Sequence, residues 1–450
     1  MSGLSKLKLV ALAGAIVPVA VLAANIVGTP EPDVLEGTPD ADKINGKGGA
    51  DTMMGLGGND TYFVAQPDDE VLEAVGDGTD TVRSSISFQI PQDVENLTLL
   101  GSAAIDGTGN GLDNRLTGNS ADNVLSGRAG ADRMFGLDGD DTYVVDDAGD
   151  DVNEATNDGL DTVRSSVSYA LPDNVEALML TGAAALSGTG NVLANSITGN
   201  AGNNILKGLG GADTLRGGGG DDRLVGGPGS DRLTGNGGRN AFQFDAPLNA
   251  TTNVDRIVDF DPGKDVMRLI GAVFPELSTA GVLPAGAFRI GAAAGDANDR
   301  VLYDPASGAV RYDADGTGAT AAVRFATLIS APDLTNANFV VVDPVVTAVN
   351  FDAQIQPIFS QRCDHCHSGS SAPQGLRLDA GNSYGDLVDV PSQEVPSLKR
   401  VDPGDPDNSY LVQKVEGTAA VGGRMPLGGS RIPQEEIDLI RQWISEGADP

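Results

Sequence analysis

Gly208-Leu209-Gly210-Gly211-Ala212-Asp213-Thr214-Leu215-Arg216 is followed at once by Gly217-Gly218-Gly219-Gly220-Asp221-Asp222-Arg223-Leu224-Val225 and Gly226-Gly227-Pro228-Gly229-Ser230-Asp231-Arg232-Leu233-Thr234. Each nine-residue window opens on Gly, has Asp at its sixth position and an apolar residue at its eighth. Outward from this block, windows of the same kind start at Gly190, Gly199 and Gly235, at Gly109, Gly118, Gly127 and Gly136, and at Gly37, Gly46 and Gly55. Across the thirteen windows the eighth position is always apolar, and the sixth is Asp in eight and Asn in five. A longer period is superimposed: Thr61-Tyr62 recurs as Thr142-Tyr143, and Asp80-Thr81-Val82-Arg83-Ser84-Ser85 as Asp161-Thr162-Val163-Arg164-Ser165-Ser166, each a step of nine nonapeptides.

The residues dictate the physics of one unit. Six Gly-rich positions make a turn that tolerates positive φ and ends in a carboxylate, and the next three make a short strand whose middle side chain points inward. Two units complete a coil of about eighteen residues, so turns on one side stack and their carboxylates and carbonyl oxygens form a hard oxygen cage suited to Ca²⁺. On these windows the chain resembles the calcium-binding RTX repeat family over about 37–345. The resemblance implies a parallel β-roll that folds when Ca²⁺ binds, with Val64–Thr108 and Val145–Thr189 as strand-rich connectors and Asn253–Asp343 within a terminal cap. The candidate calcium ligands are Asp42, Asp51, Asp60, Asp132, Asp141, Asp213, Asp222 and Asp231. The pairs Asp42 with Asp60 and Asp213 with Asp231 are expected to be tightest, because both stacked turns then offer a carboxylate. Asn114, Asn123, Asn195, Asn204 and Asn240 depart from the pattern, as weak sites or dry Asn ladders. A disordered acidic linker would not keep thirteen apolar positions in phase; a calcium-free β-solenoid is the remaining alternative.

The 450 residues allow about three domains. With 29 basic and 63 acidic residues the net charge is −34, which excludes a nucleic-acid binder held by phosphate neutralisation. Lys6 and Lys8 precede an apolar run from Leu9 to Ala24, an export signal or, stretched to Val27, an uncleaved anchor. An extracytoplasmic protein is expected, touching a membrane only if that segment stays.

The 2 Cys and 2 His all fall within Cys363-Asp364-His365-Cys366-His367, leaving no His for a Ser-His-Asp triad. Cys-x-x-Cys-His is the signature of covalent haem attachment, in which two thiols bond the macrocycle and the adjacent His reaches its iron. A thioredoxin-like pair lacks its βαβ context here, and four zinc ligands within five residues cannot surround a metal tetrahedrally. By elimination Met425, the only Met after Met267, is the second axial ligand; the alternative is a partly buried loop Met. Phe359, the Cys363–His367 motif, Leu376-Arg377-Leu378, Asp402-Pro403-Gly404-Asp405-Pro406, Met425-Pro426 and Glu436-Ile437 with Trp443-Ile444 are similar to class I cytochrome c over about 350–450. That resemblance implies a small all-α domain with Trp443 packed near Phe359.

The expected organisation is therefore an export signal or anchor at 1–27, a calcium-binding β-roll or β-solenoid at 28–240, a β-rich cap at 241–345 and an all-α cytochrome c domain at 346–450. The expected function is one-electron transfer by a single covalent haem c, without enzymatic turnover, serving a redox partner protein or an extracellular electron acceptor or donor. The alternative is a calcium-dependent structural or adhesive surface protein with an accessory haem or redox sensor.

Overall fold

The computed structural model describes residues 23–342, 349–363, 365–369, 372–426, 432–445 and 447–448. Most of the leader, and most of the expected junction at 343–350, lie outside the described residues. The chain divides into two compact units, Met1–Val345 and Val346–Pro450.

The first unit is a β-solenoid of about 12 turns. Its strands are three to five residues long in the repeats, as Arg115–Thr117, Ser196–Thr198 or Thr214–Gly218, and successive strands alternate between two faces. Pairing is parallel, with the partner eighteen residues on: Ile197 beside Leu215 beside Leu233 on one face, Leu206 beside Leu224 beside Phe242 on the other. All thirteen eighth-position side chains are 0% exposed, so the interior is a stack of single apolar residues from the two faces. Each contributes roughly 1.5–3 kcal/mol of burial, which lets strands this short persist.

The segments 64–108 and 145–189, expected above as strand-rich connectors, form coils of unequal length within the roll. Tyr62 pairs with Val82, Val82 with Leu97 and Leu97 with Leu116, so a long coil, a short one and a slightly long one follow in turn. Tyr143, Val163, Leu178 and Ile197 repeat the same steps. Together these three coils consume as much chain as three regular ones, so the apolar positions return in phase. Because nine nonapeptides amount to four and a half regular coils, the long period changes face. Tyr62 lies in the ladder with Ile44, and Tyr143 in the opposite ladder with Leu125.

Two expected boundaries shift. Asn25–Val27, assigned to the leader, forms a strand in register with Lys43–Asn45. No break occurs at 240, since Ala241–Phe244 pairs in parallel with Val266–Ile270, and that strand with Phe339–Val342. The ladders end where Val301–Asp304, Ala309–Tyr312 and Val323–Leu328 pair antiparallel over a core in which the Phe274 ring lies 5.1 Å from Tyr312 and 5.2 Å from Phe325. This covers the last coil, whose open edge would otherwise invite another strand.

The second unit is helical. A wide turn at Phe351–Ile355 runs into α1 (Gln356–Arg362); α2 (Ser383–Leu387), α3 (Tyr410–Glu416) and α4 (Gln434–Ser445) follow. The spacing of Ile437, Ile440, Trp443 and Ile444 puts one buried stripe on α4. Phe351 mediates the expected aromatic contact, its ring 6.1 Å from Phe359 and 5.0 Å from Trp443. A bidentate Arg362–Glu436 pair, 2.8 and 3.1 Å, joins α1 to α4. Among the described residues no helix is long and apolar enough to cross a membrane.

Candidate functional site

The stacked turns fall into two kinds. In turns opening at Gly46, Gly55, Gly127, Gly136, Gly208, Gly217 and Gly226, the second and fourth residues adopt positive φ, for example Leu209 at 71° and Gly211 at 118°. The Asp side chain folds back against the first-position Gly: a Cβ on Gly208 would lie 2.1 Å from Asp213 Oδ2 and 2.6 Å from the Gly226 carbonyl oxygen. Only Gly fits there. Each Asp Oδ1 accepts the backbone N–H of the sixth-position residue one coil earlier, as from Asp213 to Asp231 (2.8 Å) and from Asn195 to Asp213 (2.7 Å). The second oxygen is left without a partner at Asp51, Asp60, Asp132, Asp141, Asp213, Asp222 and Asp231, all at most 2% exposed. A buried carboxylate oxygen cannot stay unsatisfied without cost, and a hard cation between coils is the ligand this donor set suits. Burial, and beyond it the neighbouring carboxylates, pushes Asp132, Asp141 and Asp213 up to about 7, and burial pushes Asp222 to about 6.

Asp42 is different. Its Oδ1 accepts from the Ala24 N–H and the Thr38 hydroxyl, and its Oδ2 from the Thr38 N–H, so both oxygens are already satisfied. The expectation that Asp42 and Asp60 make one of the strongest calcium pairs therefore finds its open oxygen on Asp60 alone.

Asn turns satisfy themselves. Asn114 Oδ1 accepts the Asn110 N–H (2.8 Å) while its Nδ2 donates to the Val94 and Glu95 carbonyls (both 3.2 Å). Asn123, Asn195 and Asn204 likewise accept the N–H of Asn119, Asn191 and Asn200. These are hydrogen-bonded ladders. Their sequence signal is a second Asn at position two of the same window, which a reading of position six alone overlooks. Asn240 is the exception: its turn has Asn236 at φ 61° and Gly238 at 98°, and its Nδ2 is unpartnered.

Sequence reasoning also missed the acids that continue the ladders. Asp60 donates its N–H to Asp80 (2.7 Å), and Asp80 to Glu95 (2.7 Å); Asp141, Asp161 and Glu176 repeat this. Asp231 donates to Asp255, which burial holds well above the usual carboxylate range. Asp80 and Asp161 were visible in the longer repeat but sit outside any nonapeptide.

In the helical unit the four expected haem-binding residues, Cys363, Cys366, His367 and Met425, line one cavity of about 360 Å³. Leu376, Leu378, Leu387 and Val415 supply apolar wall, while Arg400 and Lys414 bring charge. His367 Nδ1 lies 3.1 Å from the Leu376 carbonyl; a proton held there leaves Nε2 with its lone pair. The Met425 N–H donates to the Lys414 carbonyl (2.9 Å), fastening the loop to α3. Arg400 donates to the Asp386 and Gln374 carbonyls (both 2.7 Å), which fixes its guanidinium against the wall.

With this geometry in view, four copies of the RTX calcium-binding nonapeptide repeat are matched, at residues 27–62, 108–143, 189–224 and 216–243. The chain carries RTX repeats. A 64-residue stretch is 39% identical to endo-1,3-1,4-beta-glycanase EglC of Rhizobium meliloti (strain 1021), and covers 14% of this chain and 14% of that protein, about a seventh of the relative's length. The crystal structure of the extracellular lipase LipA from Serratia marcescens aligns over 65% of this chain and 67% of that one, at 14% identity and a TM-score of 0.22, a likeness that carries no argument. The matched RTX copies stop at residue 243, so the helical unit is read from its own geometry.

Proposed function

We propose that this chain is a calcium-folded structural protein of the extracytoplasmic space that carries a single covalent haem in its helical unit. The observation that carries the reading is the row of buried Asp oxygens left without partners in the RTX turns. The matched repeats favour the calcium-dependent scaffold as the working part, with the haem as accessory group or redox sensor. The apolar leader, the low calcium of the cytoplasm and the need to attach haem outside it all support export.

What supports the haem is the donor set in the cavity: two thiols for covalent attachment, the His367 imidazole with Nδ1 engaged, and the Met425 thioether. A bound haem would supply one-electron redox chemistry, at a potential raised by His/Met ligation. Cys363 and Cys366 would hold it covalently, His367 and Met425 would offer its iron an imidazole and a thioether, and the leucines would keep water away. This cavity supports the second reading, one-electron transfer with a partner protein or an extracellular acceptor or donor, because its donor set of two thiols, an imidazole and a thioether within an apolar wall suits a redox-active haem.

One experiment tests both parts. The exported protein should contain one haem per chain by pyridine-haemochrome assay, and EGTA should erase its β-sheet circular dichroism while leaving the haem spectrum. A protein without haem removes the second part; a β signal indifferent to EGTA removes the first. Reversible oxidation by a co-purified redox partner would favour electron transfer over the accessory role.

A further inference from the structure

Two clusters in the roll join a nonapeptide Asp to two acids from outside the nonapeptide windows. Asp60, Glu73 and Asp80 bring three carboxylate oxygens within 4.8 Å of one another, and so do Asp141, Glu154 and Asp161. Glu73, Asp80, Glu154 and Asp161 all lie outside the matched RTX copies. Glu73 stands eighteen residues after Gly55, and Glu154 eighteen after Gly136, so each replaces the first-position Gly of a regular unit. Elsewhere a side chain at that place would strike the carboxylate five residues on, as the Gly208 geometry shows. Here the coil is 20 residues long, and the acid lies seven residues on. The two added residues make room for the Glu side chain inside the turn.

A second observation points to a ligand. Asp60 and Asp141 are each 1% exposed. Their Oδ1 atoms accept the N–H of Asp42 and Asn123 (both 2.6 Å), but their Oδ2 atoms have no partner. These orphans face into the cluster: one Cβ position on Gly55 would be 1.9 Å from Asp60 Oδ2 and 2.2 Å from Tyr62 Oη, and the Gly136 position gives 2.1 and 2.3 Å to Asp141 Oδ2 and Tyr143 Oη. The Tyr62 hydroxyl donates to Glu73, and the Tyr143 hydroxyl to Glu154. Glu73 Oε2 is also unpartnered. The other charged groups acting on the trios are acids, Asp42, Asp77 and Glu95 in one, Asp122, Asp140, Asp158 and Glu176 in the other. Three converging carboxylates, with only acids among the charged groups acting on them, suit a hard cation at neutral pH.

We propose that each trio is a hard-cation site of its own, taking Ca²⁺ on three carboxylates, with Tyr62 or Tyr143 steering the Glu, and that it pins the lengthened coil in register. The proposal rests on the calcium-folded reading and says what completes the sites of Asp60 and Asp141: two further carboxylates each, in place of a regular turn. As the long period changes face, one site lies on each side of the roll.

The test uses the full-length protein. Calcium is counted by equilibrium dialysis with elemental analysis for wild type and for Glu73→Gln with Glu154→Gln. The double variant should bind two ions fewer per chain while its β-sheet signal persists in excess calcium; an unchanged count overturns the proposal. Should the double variant not fold, Glu73→Gln alone must lose one ion, and loss of none overturns it equally. Terbium excited through tyrosine gives an independent reading: Tyr62→Phe with Tyr143→Phe should lower the emission and keep the ion count, and undiminished emission is the contrary result. A wild type that binds no calcium at all would instead fail the underlying scaffold reading, a distinct outcome.

Discussion

Acid should replace calcium in folding the roll. Stripped of cations, the folded chain holds Asp132, Asp141 and Asp213 with pKa values about 7 and Asp222 and Asp231 about 6, raised chiefly by burial from an ordinary 3.8. A carboxyl whose folded pKa is raised favours the folded state while protonated. Its contribution is therefore complete below about pH 4 and is lost as pH climbs through 6 to 7. At about 1.36 kcal/mol for each tenfold change in proton affinity, the rise from 3.8 to about 7 at Asp213 is at most about 4 kcal/mol. Screening by water and ions at a turn reduces this to the order of 1 kcal/mol. Five such groups cost about 5 kcal/mol at neutral pH, comparable with the whole stability of an ordinary domain. Protein stripped by EDTA and dialysed should show its β-sheet circular dichroism near pH 5, lose most of it by about pH 8, and regain it there on adding calcium. A stripped protein equally folded at both pH values, or one that loses its β signal on acidification, would refute the account.

Substituting Asn114→Asp and Asn195→Asp removes the donors that Val94, Glu95 and Val175 use, so each change should destabilise the roll by about 1–3 kcal/mol in urea unfolding without adding a bound calcium. With haem bound as proposed, replacing Met425 with Ala should lower its potential and abolish a Met–iron charge-transfer band while leaving the β-sheet signal unchanged; an unaltered spectrum would remove Met425 from the proposed iron-binding residues.

Much of the solenoid was legible because one residue in nine carries the core and one the turn. Leu215, Leu224 and Leu233 announce their ladder by spacing alone, and each is fully buried. The coils through 64–108 were harder to read, since the unequal steps from Tyr62 to Val82, Leu97 and Leu116 break the period and only their combined length restores it. Glu73 was illegible for a related reason: it occupies a Gly position, and nothing in a nine-residue window says that two inserted residues have opened room for it. The Asp42 carboxylate resembles every other in sequence. Its difference lies in Thr38, whose backbone stays out of the positive-φ region and returns a hydrogen bond. In the helical unit the Cys363–His367 spacing pointed to three residues that line the cavity, whereas the Leu376 carbonyl beside His367 Nδ1 depends on a loop conformation no motif encodes.

The order of Asn and Asp turns carries a consequence for assembly. Each Asp turn takes its Oδ1 partner from the coil before it, so no single coil can form a finished site; binding and stacking are one event. The coil before each of the two later Asp blocks is of the Asn kind: Asn114 and Asn123 precede Asp132 and Asp141, and Asn195 and Asn204 precede Asp213 and Asp222. Those coils satisfy their side chains without a cation and present backbone N–H groups toward the next turn. They should therefore be the templates on which calcium-dependent coils add. In hydrogen exchange at subsaturating calcium, the amides of Leu116, Leu125, Ile197 and Leu206 should gain protection before those of Leu215, Leu224 and Leu233. Protection appearing first at the Asp coils would show that the cation, and not the Asn ladder, nucleates the roll.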